Sequence, residues 1–284
     1  MIGGISADMN LIESMVFGLI SGLSDVLPVS AQGHKAILLK LFGETGENPL
    51  MRLLIHAAIL AALYYSCSSH IIKIGRQLRL ARIPKRKRKR PLDVQMLMEF
   101  RLLRVMVIPA LLCLLAYSRT AQWGTKLNLT ALFLLLNAII LYLPNLLPTG
   151  NKDARSMSPL EGLLMGIGAG VSVLPGVSSV GGALSVASAC GAERNFALNM
   201  TYLMQMVLTI VLIGFDLAAL FAGGLSGISA GVLLNCVIAA AAAFGGTYLG
   251  IRAMRMLAVN IGFSIFAYYS VGAAMLSFVL YLMV

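Results

Sequence analysis

Asp25, Ser30 and His34 fall in the stretch SGLSDVLPVSAQGH, residues 21–34, within one of the most apolar parts of the chain. A carboxylate, a hydroxyl and an imidazole this close together could hold an anion and move a proton beside it. Ser30 is a natural N-cap for a helix that restarts after Pro28. Such a helix start offers unpaired N–H groups and the positive end of its peptide dipoles to an anion. His34 follows one turn later on the same face, so both side chains can reach one pocket. A second stretch, GVSVLPGVSSVGG at residues 170–182, sets Ser178 and Ser179 after Pro175 and Gly176 in the same arrangement. Together the two tips form a small polar cup with two helix N-termini, suited to phosphate. Ionisable groups at membrane depth are costly and by default functional. The competing interpretation is that Asp25 caps or pairs locally and His34 sits near the interface.

The elements that must position these groups are membrane helices. With 59% hydrophobic residues, 12% charged residues and a mean hydropathy of +0.88, the 284-residue chain lacks the polar surface to cover a water-soluble globule. Six segments meet the length rule for a spanning helix, at 52–72, 101–118, 128–147, 197–222, 225–250 and 259–283. The N-terminal segment has no basic start, carries Asp8 and Glu13 and runs into the polar stretch, which argues against a cleaved signal peptide. Ten of the 22 Lys and Arg residues lie between Lys73 and Arg90, ending in PKRKRKR directly after an expected span. Such a run orients a membrane protein with that loop in the cytoplasm and attracts anionic lipid headgroups, so the net charge of +11 does not point to nucleic acid. Cys67, Cys113, Cys190 and Cys236 are scattered through apolar segments and read as small buried hydrophobes.

An internal repeat organises the chain. At a constant offset of 148, Glu13 matches Glu161, Gly18 matches Gly166, Gly22 matches Gly170, Ser24 matches Ser172, Val29 and Ser30 match Val177 and Ser178, and Gly33 matches Gly181. Only the proline slips by one position, Pro28 against Pro175. A run of matches in one register points to a duplication. Each copy is an apolar run interrupted by Pro, Ser and Gly, and such a break is tolerated at membrane depth only where protein or a watery cavity satisfies the backbone. The expected form is a re-entrant helix-break-helix hairpin, at 11–43 and again at 159–190; an ordinary Pro-kinked span is the alternative. Three spans after each hairpin make the repeats 1–150 and 151–284 inverted in the membrane. A ligand site is then expected near the midplane, where the tips meet.

The order GLxxxLPVSxxGH and then PGVSxxGG, together with the helix LLIHAAILAAL after the first motif, resembles the undecaprenyl-diphosphatase family, also called BacA-like or bacitracin-resistance proteins. The resemblance covers nearly the whole chain. It implies a bacterial inner-membrane phosphatase, built as inverted repeats with two re-entrant hairpins. Such an enzyme removes the terminal phosphate of undecaprenyl diphosphate with a divalent cation, Mg²⁺ or Ca²⁺, and so regenerates the lipid carrier for cell-wall synthesis. Carried over, it makes His34, Asp25 and Ser30 catalytic, Asp25 a metal ligand, and Ser178, Ser179, Gly176, Gly33, Ser21 and His56 substrate-binding. The partners implied are a polyprenyl phosphate or diphosphate and the membrane itself, with a homodimer as one allowed assembly. Charge is missing at several positions. The family's leading Glu or Gln is Ser21, its second Glu is Asp25, its second serine is Ala31, and the arginine of its second motif is Ser179, followed by Val180. A later acid aligns with Asn199, a Tyr-Arg pair with Tyr269 and Ser270, and a glutamine with His56. Two functions follow from this pattern: a phosphatase working with His34, Asp25 and Ser30, or a non-hydrolytic carrier that moves a polyprenyl lipid by alternating access.

Overall fold

The computed structural model describes residues 9–148, 150–223, 229–260 and 264–283, so Asp8, the start of the span expected at 225–250 and residues 261–263 of the span expected at 259–283 lie outside the described residues. The chain is all-α. Its helices are α1 (Leu11–Val26), α2 (Ala31–Phe42), α3 (Pro49–Ala81), α4 (Val94–Leu114), the single turn α5 (Tyr117–Thr120), α6 (Leu127–Tyr142), α7 (Pro159–Gly170), α8 (Ser179–Ala189), α9 (Arg194–Gly223), α10 (Ala230–Asn260) and α11 (Ser264–Leu282). Among the described residues five, α3, α6 together with the 3-10 turn that continues it (Leu127–Leu146, 20 residues), α9, α10 and α11, are long and apolar enough to cross a bilayer, which makes this a multi-pass integral membrane protein. The sixth expected span, 101–118, corresponds to α4 and falls short of that test. Glu99, Arg101 and Arg104 occupy its first half, and the apolar remainder ends at Leu114. Large apolar side chains such as Leu112, Phe221 and Leu276 face outward, as a lipid solvent allows, while Phe17, Ile55, Met106, Met165 and Tyr202 fill the interior.

The two repeated motifs fold alike. α1 and α7 each open on a capping box: Asn10 with Glu13, and Ser158 with Glu161, in which the cap side chain accepts from the glutamate N–H and the glutamate accepts from the cap N–H. That explains why a glutamate begins both copies. With 16, 12, 12 and 11 residues, α1, α2, α7 and α8 are each too short to cross, since a span needs about 20 residues. Each pair instead folds on itself, α1 against α2 and α7 against α8.

The repeated glycines mark helix crossings at backbone contact. A Cβ on Gly18 would lie 2.0 Å from the Ala239 carbonyl oxygen, and one on Gly166 would lie 2.1 Å from that of Met106. α1 is thereby pressed onto α10 and α7 onto α4, the small-residue packing that membrane helices favour.

Gly176 serves the second break differently. It holds φ at +130°, and a Cβ there would sit 2.8 Å from the Leu134 nitrogen and the Thr130 oxygen of α6. Gly176→Ala is expected to cost about 2 kcal/mol in strain and overpacking, read as a lower thermal midpoint in detergent. An unchanged midpoint would mean that the break relaxes at no cost.

Candidate functional site

The helix breaks leave carbonyls that helix geometry cannot serve, and side chains from distant helices serve them. Tyr202 of α9 donates its hydroxyl to the Val26 oxygen at 3.3 Å, Ser178 donates to the Leu27 oxygen at 3.3 Å, and Asn137 of α6 donates to the Pro28 oxygen at 3.5 Å. Asn137 also accepts from the Ser178 N–H at 2.9 Å and donates to the Ser270 hydroxyl at 3.1 Å. One fully buried amide thus pins both breaks together. On their far sides the breaks end in equivalent caps, where Ser30 accepts from the Gly33 N–H at 3.1 Å and Ser178 from the Gly181 N–H at 3.0 Å.

Both tips open on one cavity of about 520 Å³. Ala31 and Gln32, at the start of α2, and Ser179, at the start of α8, stand on its wall. Their N–H groups precede the first intrahelical bonds, the places where a helix start meets an anion. Three cations line the same wall: Lys35 and Lys40 from α2, and Arg52 from α3. Two polar chains cross between the halves. In the first, Ser179 donates to Gln205 Oε1 at 2.5 Å, and Gln205 Nε2 donates to Asp25 Oδ2 at 2.7 Å. In the second, Arg52 Nε donates to Asp216 Oδ1 and His56 Nδ1 bonds Asp216 Oδ2, each at 2.5 Å. Lys35 pairs with Glu47 at 3.5 Å.

Comparison with known proteins places this architecture. The family model described as bacitracin resistance protein BacA matches residues 14–276, a stretch that takes in both hairpins and every helix lining the cavity. The chain belongs to the BacA family. Its relatives include an undecaprenyl-diphosphatase from Treponema denticola, 25% identical over 262 residues, which are 92% of this chain and 94% of that protein. Another, from Thermosipho africanus, is 26% identical over 93% of this chain and 98% of its own length. A third, from Methanococcus maripaludis, is 27% identical over 69% of this chain and 75% of that protein.

Within this BacA-family frame the candidate residues separate into two groups. Asp25, His56, Ser178 and Ser179 line the cavity. Ser30 and His34 do not share a pocket as their spacing predicts. Ser30 is fully buried, its hydroxyl turned into α2 as the cap. His34 faces the opposite side, stacked on Tyr269 of α11 at a centroid distance of 5.5 Å, and lies on a second, largely apolar cavity of about 390 Å³. Gly33 faces Leu134, Gly176 is pressed onto α6, and Ser21 is fully buried with no hydrogen-bond partner for its hydroxyl among the described residues.

The divalent cation that the BacA resemblance implies needs oxygen donors. Asp25 accepts an amide N–H from Gln205, and among the described residues no group of three or more His, Cys, Asp or Glu side chains is placed to share an ion. The cavity wall sets three carboxylates, Asp25, Glu44 and Glu47, beside the cations Arg52, Lys35 and Lys40. Asn137, Gln205, Arg52 and Asp216 are site residues that spacing did not single out. Asp216, an acid inside the expected span 197–222, carried a detectable sign, since a lone intramembrane charge asks for a partner.

Proposed function

We propose that the cavity binds the diphosphate headgroup of a polyprenyl lipid and that the protein hydrolyses its terminal phosphate, the activity for which its relatives are named. One observation carries this: two broken-helix tips open on a single cavity whose wall holds three cationic side chains. Phosphoryl transfer needs little from a protein beyond positioning and charge neutralisation. Lys35 and Arg52 neutralise phosphoryl oxygens, the N–H groups at the starts of α2 and α8 bind others, and Asp25 with Gln205 and Ser179 fixes the relative position of the two tips.

The halves 1–150 and 151–284 are inverted copies in this proposal, with α4 as a sixth crossing. Its 21 residues would reach about 30 Å at about 1.5 Å per residue, and it packs on α7 as α10 packs on α1. The basic run at 73–90 lies on the cytoplasmic side of a bacterial inner membrane, near anionic headgroups. Arg88 folds this run back by donating to the Ala81 and Ile83 carbonyls at the end of α3.

One feature favours the carrier alternative. The position expected to hold an arginine is Ser179, whose hydroxyl is engaged by Gln205, and Ala31 offers only a methyl. The two functions separate in detergent with a polyprenyl diphosphate, with and without Mg²⁺ or Ca²⁺. Hydrolysis predicts phosphate release that drops at least tenfold in Lys35→Gln, the loss of one charged hydrogen-bonding group being worth about that much. Saturable lipid binding without release, followed by lipid flux in vesicles, supports the carrier. Neither release nor binding overturns both.

A further inference from the structure

We infer that His56, oriented by Asp216, is the group that accepts the proton of the attacking water in this cavity, an inference that rests on the diphosphate-hydrolysis proposal above. Each of the chain's three histidines has a defined setting. His34 has both ring nitrogens engaged, Nδ1 with the Ser30 carbonyl at 2.6 Å and Nε2 with the Tyr269 hydroxyl at 2.8 Å, and it lies on the other cavity. His70 is tied through Nε2 to Glu99 at 2.6 Å. His56 lines the diphosphate cavity, and its Nε2 makes no hydrogen bond among the described residues.

The tautomer follows from the partners. Asp216 is buried, with a side-chain exposure of 3%, and Arg52 Nε donates to its Oδ1. With Arg52 on Oδ1, Oδ2 is the acceptor left for His56 Nδ1–H, the tautomer that places the lone pair on Nε2. Arg52 and His56 are four residues apart on α3, hence on one face, and both turn toward the same acid on α9. An acid that orients an imidazole and stabilises its protonated form is the arrangement by which hydrolases make histidine an effective base.

The hydroxyls near the tips are already committed: Ser30 and Ser178 as caps, and Ser179 to Gln205. The Ser172 hydroxyl also stands on the wall, and the nucleophile in this inference is water. Its oxygen bonds to the terminal phosphorus, its proton passes to His56 Nε2, and the bond from that phosphorus to the bridging oxygen breaks. Polyprenyl monophosphate departs with the electron pair, needing no proton, and inorganic phosphate is formed. His56 then returns its proton to solvent. His56 is the catalytic residue here and Asp216 the positioning residue.

The test uses purified protein with a polyprenyl diphosphate, with a non-hydrolysable diphosphonate analogue to measure binding separately. His56→Gln and Asp216→Asn should each lower kcat about 100-fold or more, with KM and analogue affinity within a few-fold of the parent. The double variant should lose no more than His56→Gln alone, because an orienting group has nothing left to orient. Losses that multiply, or a folded His56→Gln that keeps its kcat, overturn the assignment while leaving the proposed activity intact. A parent protein that binds the analogue but releases no phosphate overturns it together with hydrolysis, and one that does neither overturns the headgroup site as well. Should Asp216→Asn fail to fold, the His56→Gln comparison decides.

Discussion

Replacing Asn137 by leucine is expected to lower stability by about 3–9 kcal/mol, since each buried partner left without a hydrogen bond costs about 1–3 kcal/mol. Asn137 is fully buried and serves three of them: the Ser178 N–H, the Pro28 carbonyl and the Ser270 hydroxyl. Leucine is close in size, so the loss reads out hydrogen bonding and not a cavity. Pro28 and Ser178 are both buried, so little solvent is at hand to replace the amide. Both breaks depend on the same side chain, so they should loosen together. The measurement is thermal unfolding in detergent, with Ser270→Ala as the control that removes one of the three bonds. A leucine variant no less stable than that control would show that the breaks hold without Asn137.

What was legible in the sequence is what local chemistry dictates. Pro28 and Pro175 stop a helix, Ser30 and Ser178 start one, and both effects act within four residues, so the two helix breaks are legible in the sequence. The repeated glycines and glutamates were visible as matches, though their work at helix crossings and capping boxes was not. The span expected at 101–118 rests on its apolar content, whereas α4 begins earlier and takes in Glu99, which is why it falls outside the five helices that are long and apolar enough on their own. For the site, helical spacing can state which residues share a face but not what that face looks toward. Asp25 and His56 face the cavity, while His34 looks toward α11. The residues that complete the site lie far away in sequence, with 164 positions between Arg52 and Asp216 and 180 between Asp25 and Gln205. No pattern in a single chain brings such pairs together.

Arg52→Gln is expected to cut phosphate release by about 100- to 1,000-fold, the usual effect of removing one group that stabilises developing charge. Arg52 stands at the start of α3 with its Nε committed to Asp216, and its terminal nitrogens make no hydrogen bond among the described residues. It is therefore placed to take phosphoryl oxygens while holding the acid that orients His56. Stability should fall as well, because Asp216 keeps its burial and loses its cation. Breaking a wholly buried pair costs about 3–5 kcal/mol. Arg52 retains 27% of its side-chain exposure, which brings the expectation down to about 1–3 kcal/mol after solvent screening. The two effects can be separated. Arg52→Met combined with Asp216→Leu removes both charges and should recover much of the stability while leaving turnover at the level of the single variant. Arg52→Lys keeps a charge without the planar fork and should fall between parent and glutamine in release. If the protein is a carrier instead, the same substitutions weaken analogue binding and flux, with no release in any of them. An Arg52→Gln protein that binds and hydrolyses as the parent does would remove Arg52 from the mechanism and from the headgroup site.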